Sequence, residues 1–136
     1  AYIPDRYIED ESLKLHMYKK IAEVETEENE EDVIEELIDR FGDVPKQVMN
    51  LIRISRIRKL AADEFVSKVC VENGRLVFYF GEKNRLRGPV LAALSDKYGM
   101  RVFFHGGVKP FMRLTAEKSR WLDEALELLM ALSEKK

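Results

Sequence analysis

Two carboxylates near the end of an acidic stretch, Glu36 and Asp39, are the side chains of this chain best placed for a chemical role. Residues 36–45 (ELIDRFGDVP) predict the end of one helix, a stop at Gly42 and the start of another helix. At about 100° per residue, Glu36 and Asp39 lie one turn apart, opposite the apolar stripe that contains Leu37. Both carboxylates are therefore expected to point outward from a rigid support, and neither is expected to be needed for the core.

The acidic stretch itself has a plain alternative explanation. From Glu23 to Glu36 there are nine acids and no base. Acids in the first turn of a helix gain about 0.3–1 kcal/mol each from the helix dipole, but Glu36 and Asp39 lie toward the opposite end. Arg40 can pair with Glu36 across one helical turn. On physical grounds alone, a solvated acidic face is the default interpretation.

Signals for catalysis are missing from the sequence. Residues 81–84 (GEKN) do not form a phosphate-binding loop, and Gly106-Gly107 indicates a turn and not a dinucleotide site. His16 and His105 are isolated and lack metal-ligand spacing, as does Cys70. We therefore expect a domain that is not an enzyme and that binds no metal, nucleotide or other cofactor.

Length and composition place the chain among soluble globular proteins. Its 136 residues predict one domain over 1–136, and 46% of them are hydrophobic and 35% charged. There is no signal peptide and no apolar run of membrane-spanning length. The single cysteine, Cys70, excludes an internal disulfide, is expected to be a buried structural thiol, and fits a cytoplasmic location. A start without Met suggests a piece of a longer polypeptide. We expect this piece to be monomeric when isolated.

Charge is distributed unevenly along the chain. Residues 1–43 carry a net charge of −10, residues 44–73 of +3, residues 74–120 of +7 and residues 121–136 of −2. Such a division predicts one acidic and one basic surface, or parts of the chain that attract each other.

The basic residues support an alternative function, contact with DNA. Lys83, Arg85 and Arg87 cluster before a predicted helix, and Arg53 and Arg56 share a face of another. Phosphate binding uses such side chains. No aromatic residue is interleaved with the cluster for base stacking, so a solvated, charge-balancing face is its default interpretation.

Hydrophobic periodicity predicts an α+β fold, in which an N-terminal three-helix segment is followed by hairpin, helix, hairpin and helix with an antiparallel sheet. The first predicted helix is Glu9–Val24, and the second is capped by Thr26 and ends at Phe41. The third is Pro45–Ala62, with Asp43 as its cap. The fourth begins at Gly88-Pro89 and stops at Gly99, and the fifth is capped by Thr115. The predicted strands are Phe65–Glu72, Arg75–Phe80, Met100–Phe104 and Val108–Leu114. The turn Asn73-Gly74 is a strong hairpin signal. The third helix should be central, with Leu51, Ile52 and Ile57 buried.

Part of the chain resembles a known family. The motif E-L-I-D-R-F-G-x-x-P at residues 36–45 resembles the signature of the C-terminal domain of bacterial transcription-repair coupling factors. The segments Ala1–Asp5, Tyr7-Ile8, Leu13 with Leu15, and Tyr18–Ala22 are similar to the start of the same domain. The resemblance is dense over residues 1–60 and loose afterwards. Lys14 and Lys20 depart from it, because arginine is expected at both positions.

The resemblance implies a regulatory domain of a large ATP-driven DNA translocase whose motor lies elsewhere in the parent chain. Such a protein acts on stalled RNA polymerase and recruits DNA excision repair. The domain is implied to clamp an N-terminal, UvrB-like module of the same chain, masking the UvrA-binding surface and restraining the motor. In this interpretation, Glu36 and Asp39 are the acids that pair with arginines of that module. The alternative remains a DNA-contacting accessory domain that uses the basic half.

Overall fold

The computed structural model describes residues 2–84 and 86–134, which form five α-helices and four β-strands. In chain order these are α1 (Glu11–Ala22), α2 (Glu27–Phe41), α3 (Lys46–Asp63), β1 (Val66–Glu72), β2 (Arg75–Phe80), α4 (Gly88–Tyr98), β3 (Val102–His105), β4 (Phe111–Leu114) and α5 (Trp121–Glu134). The element order and the α+β class are confirmed.

The chain divides into two compact units, residues 1–58 and residues 59–136, which we call the helical unit and the sheet unit. Whether residues 1–136 behave as a single domain in solution stays a prediction.

Side-chain caps start the first two helices. The Asp10 carboxylate accepts a hydrogen bond from the Leu13 backbone N–H at 3.0 Å, so α1 begins at Glu11. The Thr26 hydroxyl accepts one from the Asn29 N–H at 3.0 Å, which confirms Thr26 as the cap of α2.

The chain leaves α2 at Gly42, whose φ of +89° is a conformation that side-chain-bearing residues rarely adopt. Its N–H donates to the Ile38 carbonyl at 3.0 Å, so the predicted stop is confirmed. The Pro45 carbonyl then accepts the first hydrogen bond of α3, from the Met49 N–H at 3.1 Å. Pro45, and not Asp43, therefore occupies the residue position that caps α3.

The core of the helical unit gathers apolar residues from its N-terminal segment and its three helices. These buried residues are Ile3, Ile8, Met17, Ile21, Val24, Leu37, Val48 and Ile52. Two tyrosines tie the N-terminal segment to the helices. The Ile3 N–H donates to the Tyr18 hydroxyl at 2.8 Å, and the Tyr7 hydroxyl donates to the Gly42 carbonyl at 2.8 Å.

The sheet unit is built on an antiparallel sheet of strand order β1-β2-β4-β3. The predicted Asn73-Gly74 turn is confirmed, with φ of +51° and +74°. Because β4 pairs with both β2 and β3, these two strands run parallel to each other, and α4 makes the crossover between them. Buried side chains of one sheet face and of α4 and α5 make up the core, and the largest contributors are Phe78, Phe80, Met112, Leu114, Leu94, Leu128 and Leu129.

The second hairpin is shorter than predicted. A 3₁₀ turn takes up Gly99–Arg101, so β3 begins at Val102 and extends to His105. Pro110 has no N–H for the ladder, and β4 begins only after it, at Phe111. The excluded residues Met100 and Val108 are fully exposed.

The predicted capping role of Thr115 is wrong. Its N–H donates to the Arg101 carbonyl at 2.8 Å, and its own carbonyl accepts from Arg101 Nε at 3.0 Å. These bonds hold the Thr115 backbone against Arg101, just before the start of β3. A 3₁₀ turn at Lys118–Arg120 then leads into α5, which begins at Trp121.

The burial of residues along α3 agrees with most of the prediction that this helix is central. Ile52 is fully buried and Ile57 is 8% exposed, whereas Leu51 is only half-buried. Leu51 packs at the margin of the helical core, in which Ile52 is a central member.

We predict that Ile52→Ala lowers the free energy of unfolding by about 2–5 kcal/mol, because it leaves a cavity in the helical core. Leu51→Ala should lower it less, by about 1–2 kcal/mol, since that side chain already contacts solvent. Chemical denaturation followed by circular dichroism measures both. A loss below about 1 kcal/mol for Ile52→Ala would show that α3 is peripheral.

Candidate protein-interaction surface

Helix α2 has one face fixed to the core and one face covered with acids. Leu37 is fully buried, and Val33, Ile34 and Phe41 pack beside it at the margin of the core. Exposed carboxylates occupy the remaining surface of the helix, namely Glu27, Glu28, Glu31, Asp32, Glu35 and Asp39. Burial of Leu37 therefore sets the direction in which these charges point.

Asp39 is exposed, as the sequence analysis predicted. It falls on one stripe of the helix with Asp32 and Glu35, since positions three, four and seven residues apart share a face. Ile38, next to buried Leu37, is 47% exposed. The C-terminal half of α2 thus presents carboxylates next to an accessible apolar side chain.

Glu36 does not point freely outward, and this part of the prediction is wrong. Its side chain is 27% exposed and accepts hydrogen bonds from Lys20 Nζ of α1 and from Arg40 Nη1 of α2, the latter at 3.0 Å. The expected pairing with Arg40 is confirmed. The additional pairing with Lys20 joins two helices, so Glu36 contributes to the stability of the helical unit.

The electrostatic setting of Glu36 favours its charged form. The hydrogen bond from Lys20 lowers the pKa of the Glu36 carboxyl below the ordinary value, and Arg40 lowers it further, whereas burial opposes both. Arg40 is held in turn over the ring of Phe41, with 5.3 Å from its guanidinium carbon to the ring centroid. Contacts within the chain therefore hold this end of α2 in place.

An open groove of about 280 Å³ runs between α1 and α2. Its lining includes the acids Glu23, Asp32 and Glu36, together with Lys20 and the apolar residues Val24 and Val33. The groove offers carboxylate acceptors together with apolar side chains, a combination suited to the long, partly apolar side chain of arginine.

Two further basic residues, Arg56 and Lys14, are engaged in ion pairs within the helical unit. Arg56 is 8% exposed, and its Nη1 pairs with Glu30 of α2 at 3.2 Å. Lys14 is also buried and pairs with Asp5 and Glu11. Arg56 is therefore a structural residue that links α2 and α3, and it does not form an open phosphate-binding face with Arg53.

The predicted basic cluster is described only in part. Lys83 and Arg87 are exposed, and Arg85 lies outside the described residues. No aromatic ring interaction involves either described member.

Cys70 lies on β1 and is half-buried, less than the sequence analysis predicted. Burial raises the pKa of its thiol, and a hydrogen bond from Sγ to the Glu72 carboxylate at 3.4 Å raises it further. A raised pKa keeps the thiol protonated, which agrees with a structural role. His16 is exposed on α1, as predicted, and His105 is exposed on β3.

Two classes of site are not found in residues 2–84 and 86–134. No helix among them is both long enough and apolar enough to cross a membrane. No three of their His, Cys, Asp or Glu side chains come together in an arrangement that could hold a metal ion.

We predict that Glu36→Gln destabilises the chain by about 1 kcal/mol at pH 7, because it removes a carboxylate shared by two cations. A lowered folded-state pKa means that this stabilisation is complete above the unfolded value, near 4.5, and is lost as the pH falls through the folded value. The difference between wild type and Glu36→Gln in urea denaturation should therefore shrink below about pH 4.5. Asp39→Asn is the matched control and should change stability by less than about 0.5 kcal/mol. A loss equal in the two variants, or one independent of pH, would contradict the assignment.

Comparison with known proteins gives a consistent result. A model of the TRCF domain family matches residues 1–90. The transcription-repair-coupling factor of Bacillus subtilis is 30% identical over 142 aligned residues, and that of Staphylococcus epidermidis is 34% identical over 137. The Escherichia coli protein of the same name is 29% identical over 135 residues. The matches cover 98–100% of this chain but only 12% of each relative.

A solved structure agrees with the fold as well. The crystal structure of the C-terminal domain of a transcription-repair coupling factor superposes with a TM-score of 0.87 at 27% identity, covering 100% of this chain and 88% of that one. The chain therefore belongs to the TRCF domain family, and it corresponds to the C-terminal domain of transcription-repair coupling factors.

Proposed function

We propose that this chain is an autoinhibitory protein-interaction domain, which clamps the UvrB-like N-terminal module of its parent translocase. The clamp masks the surface that UvrA binds and restrains the ATP-driven motor until stalled RNA polymerase is engaged on DNA. In this proposal the chain itself catalyses nothing, holds no cofactor and acts in the cytoplasm.

The observation that carries the proposal is the exposed stripe Asp32, Glu35 and Asp39 on a helix whose orientation is fixed by buried Leu37. These acids contribute nothing to the core, and Asp39, in the last turn of α2, is opposed by the helix dipole. A cationic partner surface would offset that cost. Exposed Ile38 supplies an apolar contact beside the charges, as interfaces commonly require.

Glu36 has a different role in the proposal from the one that the family resemblance implied. Because its carboxylate already accepts from Lys20 and Arg40, an incoming arginine would compete with two cations for it. We assign Glu36 to positioning α2 against α1, and we assign the direct ion pair to Asp39.

We predict that Asp39→Lys in the parent protein opens the clamp and raises UvrA capture. If the ion pair is partly desolvated, reversing the charge costs about 2–5 kcal/mol of docking free energy. Each 1.4 kcal/mol shifts the open-to-closed ratio about tenfold. A UvrA pull-down that compares wild type with Asp39→Lys measures the effect, with circular dichroism as the control for folding.

The matched control is Glu31→Lys, which makes the same charge change at an exposed position of the same helix. It lies about 12 Å along the axis and about 80° around it from Asp39. UvrA capture should stay near wild type for this variant. Equal capture by wild type and Asp39→Lys would remove Asp39 from the clamp, and an equal rise in both variants would show an effect of net charge. Glu36→Lys is a poor test, since it places a cation beside Lys20 and Arg40 and destabilises the unit itself.

We also predict that deleting this domain from the parent raises basal ATPase activity, since the proposed restraint on the motor is lost. Steady-state ATP hydrolysis without DNA or polymerase measures this. Unchanged basal activity in a truncated protein that remains folded would count against the clamp. The Asp39→Lys parent should show a smaller increase in the same assay.

The alternative, a DNA-contacting accessory domain that uses the helix-three arginines and the cluster before α4, gains no support from the contacts described. Arg56 is committed to Glu30. A mobility-shift assay with duplex DNA at two salt concentrations separates the functions, because only DNA contact predicts steeply salt-dependent binding.

A further inference from the structure

The face of the sheet opposite the core collects aromatic residues that are far apart in the sequence. Strand register places Tyr79 beside Phe111 and Phe111 beside His105, while Arg113 lies beside Phe103. Since alternate strand residues point to opposite faces, all five side chains lie on one side. We call Tyr79, Phe103, His105, Phe111 and Arg113 the aromatic face.

The rings of the aromatic face form one continuous cluster centred on Phe111. Ring centroids are 5.0 Å apart for His105 and Phe111, 5.9 Å for Tyr79 and Phe111, and 6.4 Å for Phe103 and Phe111. The Arg113 guanidinium lies 4.5 Å from the Phe103 centroid and 5.7 Å from that of Phe111. Mutual packing of this kind holds the rings in place without any ligand.

Much of this cluster remains accessible to a partner. Phe103 is 48% exposed, His105 is exposed, and Tyr79, Phe111 and Arg113 are half-buried. The Nε–H of Arg113 is buried with no hydrogen-bond acceptor among the described residues, so any contact with a partner would be made by the outer guanidinium nitrogens. Aromatic side chains and arginine are also the residue types that carry most binding energy at interfaces.

Charge on this side of the sheet favours an anionic partner. Lys68 lies over the Tyr79 ring at 5.9 Å, and Arg75 on β2 is exposed. The acid on the same side of β1, Glu72, is occupied by the Tyr79 hydroxyl, which donates to it at 2.6 Å. Lys109, in the loop between β3 and β4, adds another exposed cation.

We propose that the aromatic face is a binding site for single-stranded nucleic acid, with bases stacking on Phe103, His105 and Phe111 and phosphates contacting the cations. Every base has a π-face, so a row of rings on a rigid sheet accepts a single strand without regard to sequence. A duplex keeps its bases stacked inside and offers only its backbone to such a surface. An uncharged apolar partner would leave the surrounding cations desolvated and unpaired.

The test measures fluorescence anisotropy of a labelled oligothymidylate of about 12 nucleotides, within the range of sites occupied by single-strand binders. The full 136-residue chain is titrated at low salt. We expect binding to the single strand, and binding at least about tenfold weaker to a duplex of the same length. Affinity for the single strand should fall as salt is raised, since phosphate contacts release counterions.

Matched substitutions locate the binding. Phe103→Ala should weaken it about tenfold, the loss expected for one stacked base. Phe103→Leu should weaken it similarly, because leucine keeps the apolar contact but has no π-face. Tyr2→Ala removes an aromatic ring that is 60% exposed in the helical unit and should leave affinity unchanged. Arg113→Lys keeps the charge but loses the planar guanidinium, so it should weaken binding severalfold, unlike Arg87→Lys.

Several outcomes would overturn the proposal. The first is that the single strand does not bind below about 1 mM. The second is that the duplex binds with equal affinity, and the third is that Phe103→Ala, Phe103→Leu and wild type bind the single strand with equal affinity. Sedimentation of the free protein provides a further check. If wild type is a dimer and Phe103→Ala is a monomer, the aromatic face joins copies of the chain and does not bind nucleic acid. Circular dichroism establishes that each variant is folded.

Discussion

A single turn of α2 both buries a side chain in the core and forms an ion pair with α1, and these two contacts fix the orientation of the helix. Leu37 is fully buried, and the adjacent Glu36 forms an ion pair with Lys20 of α1. Helical geometry then places Asp39 on the exposed side of α2, because a residue two positions beyond a buried one lies roughly on the opposite side of the helix. The exposed carboxylate is thus a consequence of packing, and its direction cannot change without disturbing the core.

The sheet unit obeys a comparable constraint, set by strand register. Leu76 with Leu114 and Phe78 with Met112 place fully or nearly buried side chains on the core face. The alternation of the pleat then sends Tyr79, Phe111 and Arg113 to the other side. A slip of one residue would bury these polar and aromatic groups and expose the core, so the register that gives stability also assembles the aromatic face.

Local signals in the sequence were sufficient for most element boundaries. The Thr26 cap, the Gly42 stop and the Asn73-Gly74 turn each depend on a few neighbouring residues, and each is found as predicted. Thr115 was misassigned because its backbone is engaged by Arg101, a partner that a local pattern does not reveal. The limits of the second hairpin were missed for a related reason, since Pro110 and a 3₁₀ turn override the strand propensity around them.

Site residues were harder to predict, because their surroundings come from distant parts of the chain. The exposure of Asp39 follows from helical periodicity alone, whereas its role as a site residue stays a prediction. The commitment of Glu36 to Lys20, sixteen residues away, required the packing of α1 against α2. The aromatic face could not be predicted for the same reason, because Tyr79, Phe103 and Phe111 come together only through strand pairing.

The contacts of Glu36 also limit where a cationic partner could dock on α2. Lys20 and Arg40 bring two positive charges to the one carboxylate of Glu36, so this carboxylate already has two cationic partners. An arginine of a partner would have to compete with Lys20 and Arg40 for this carboxylate. Farther along the exposed stripe, Asp32, Glu35 and Asp39 have no such pairing with Lys20 or Arg40 among the ion pairs of the described residues. In the proposed clamp, the ion pairs that fix α2 against α1 therefore leave the direct contact with an arginine to the stripe that contains Asp39.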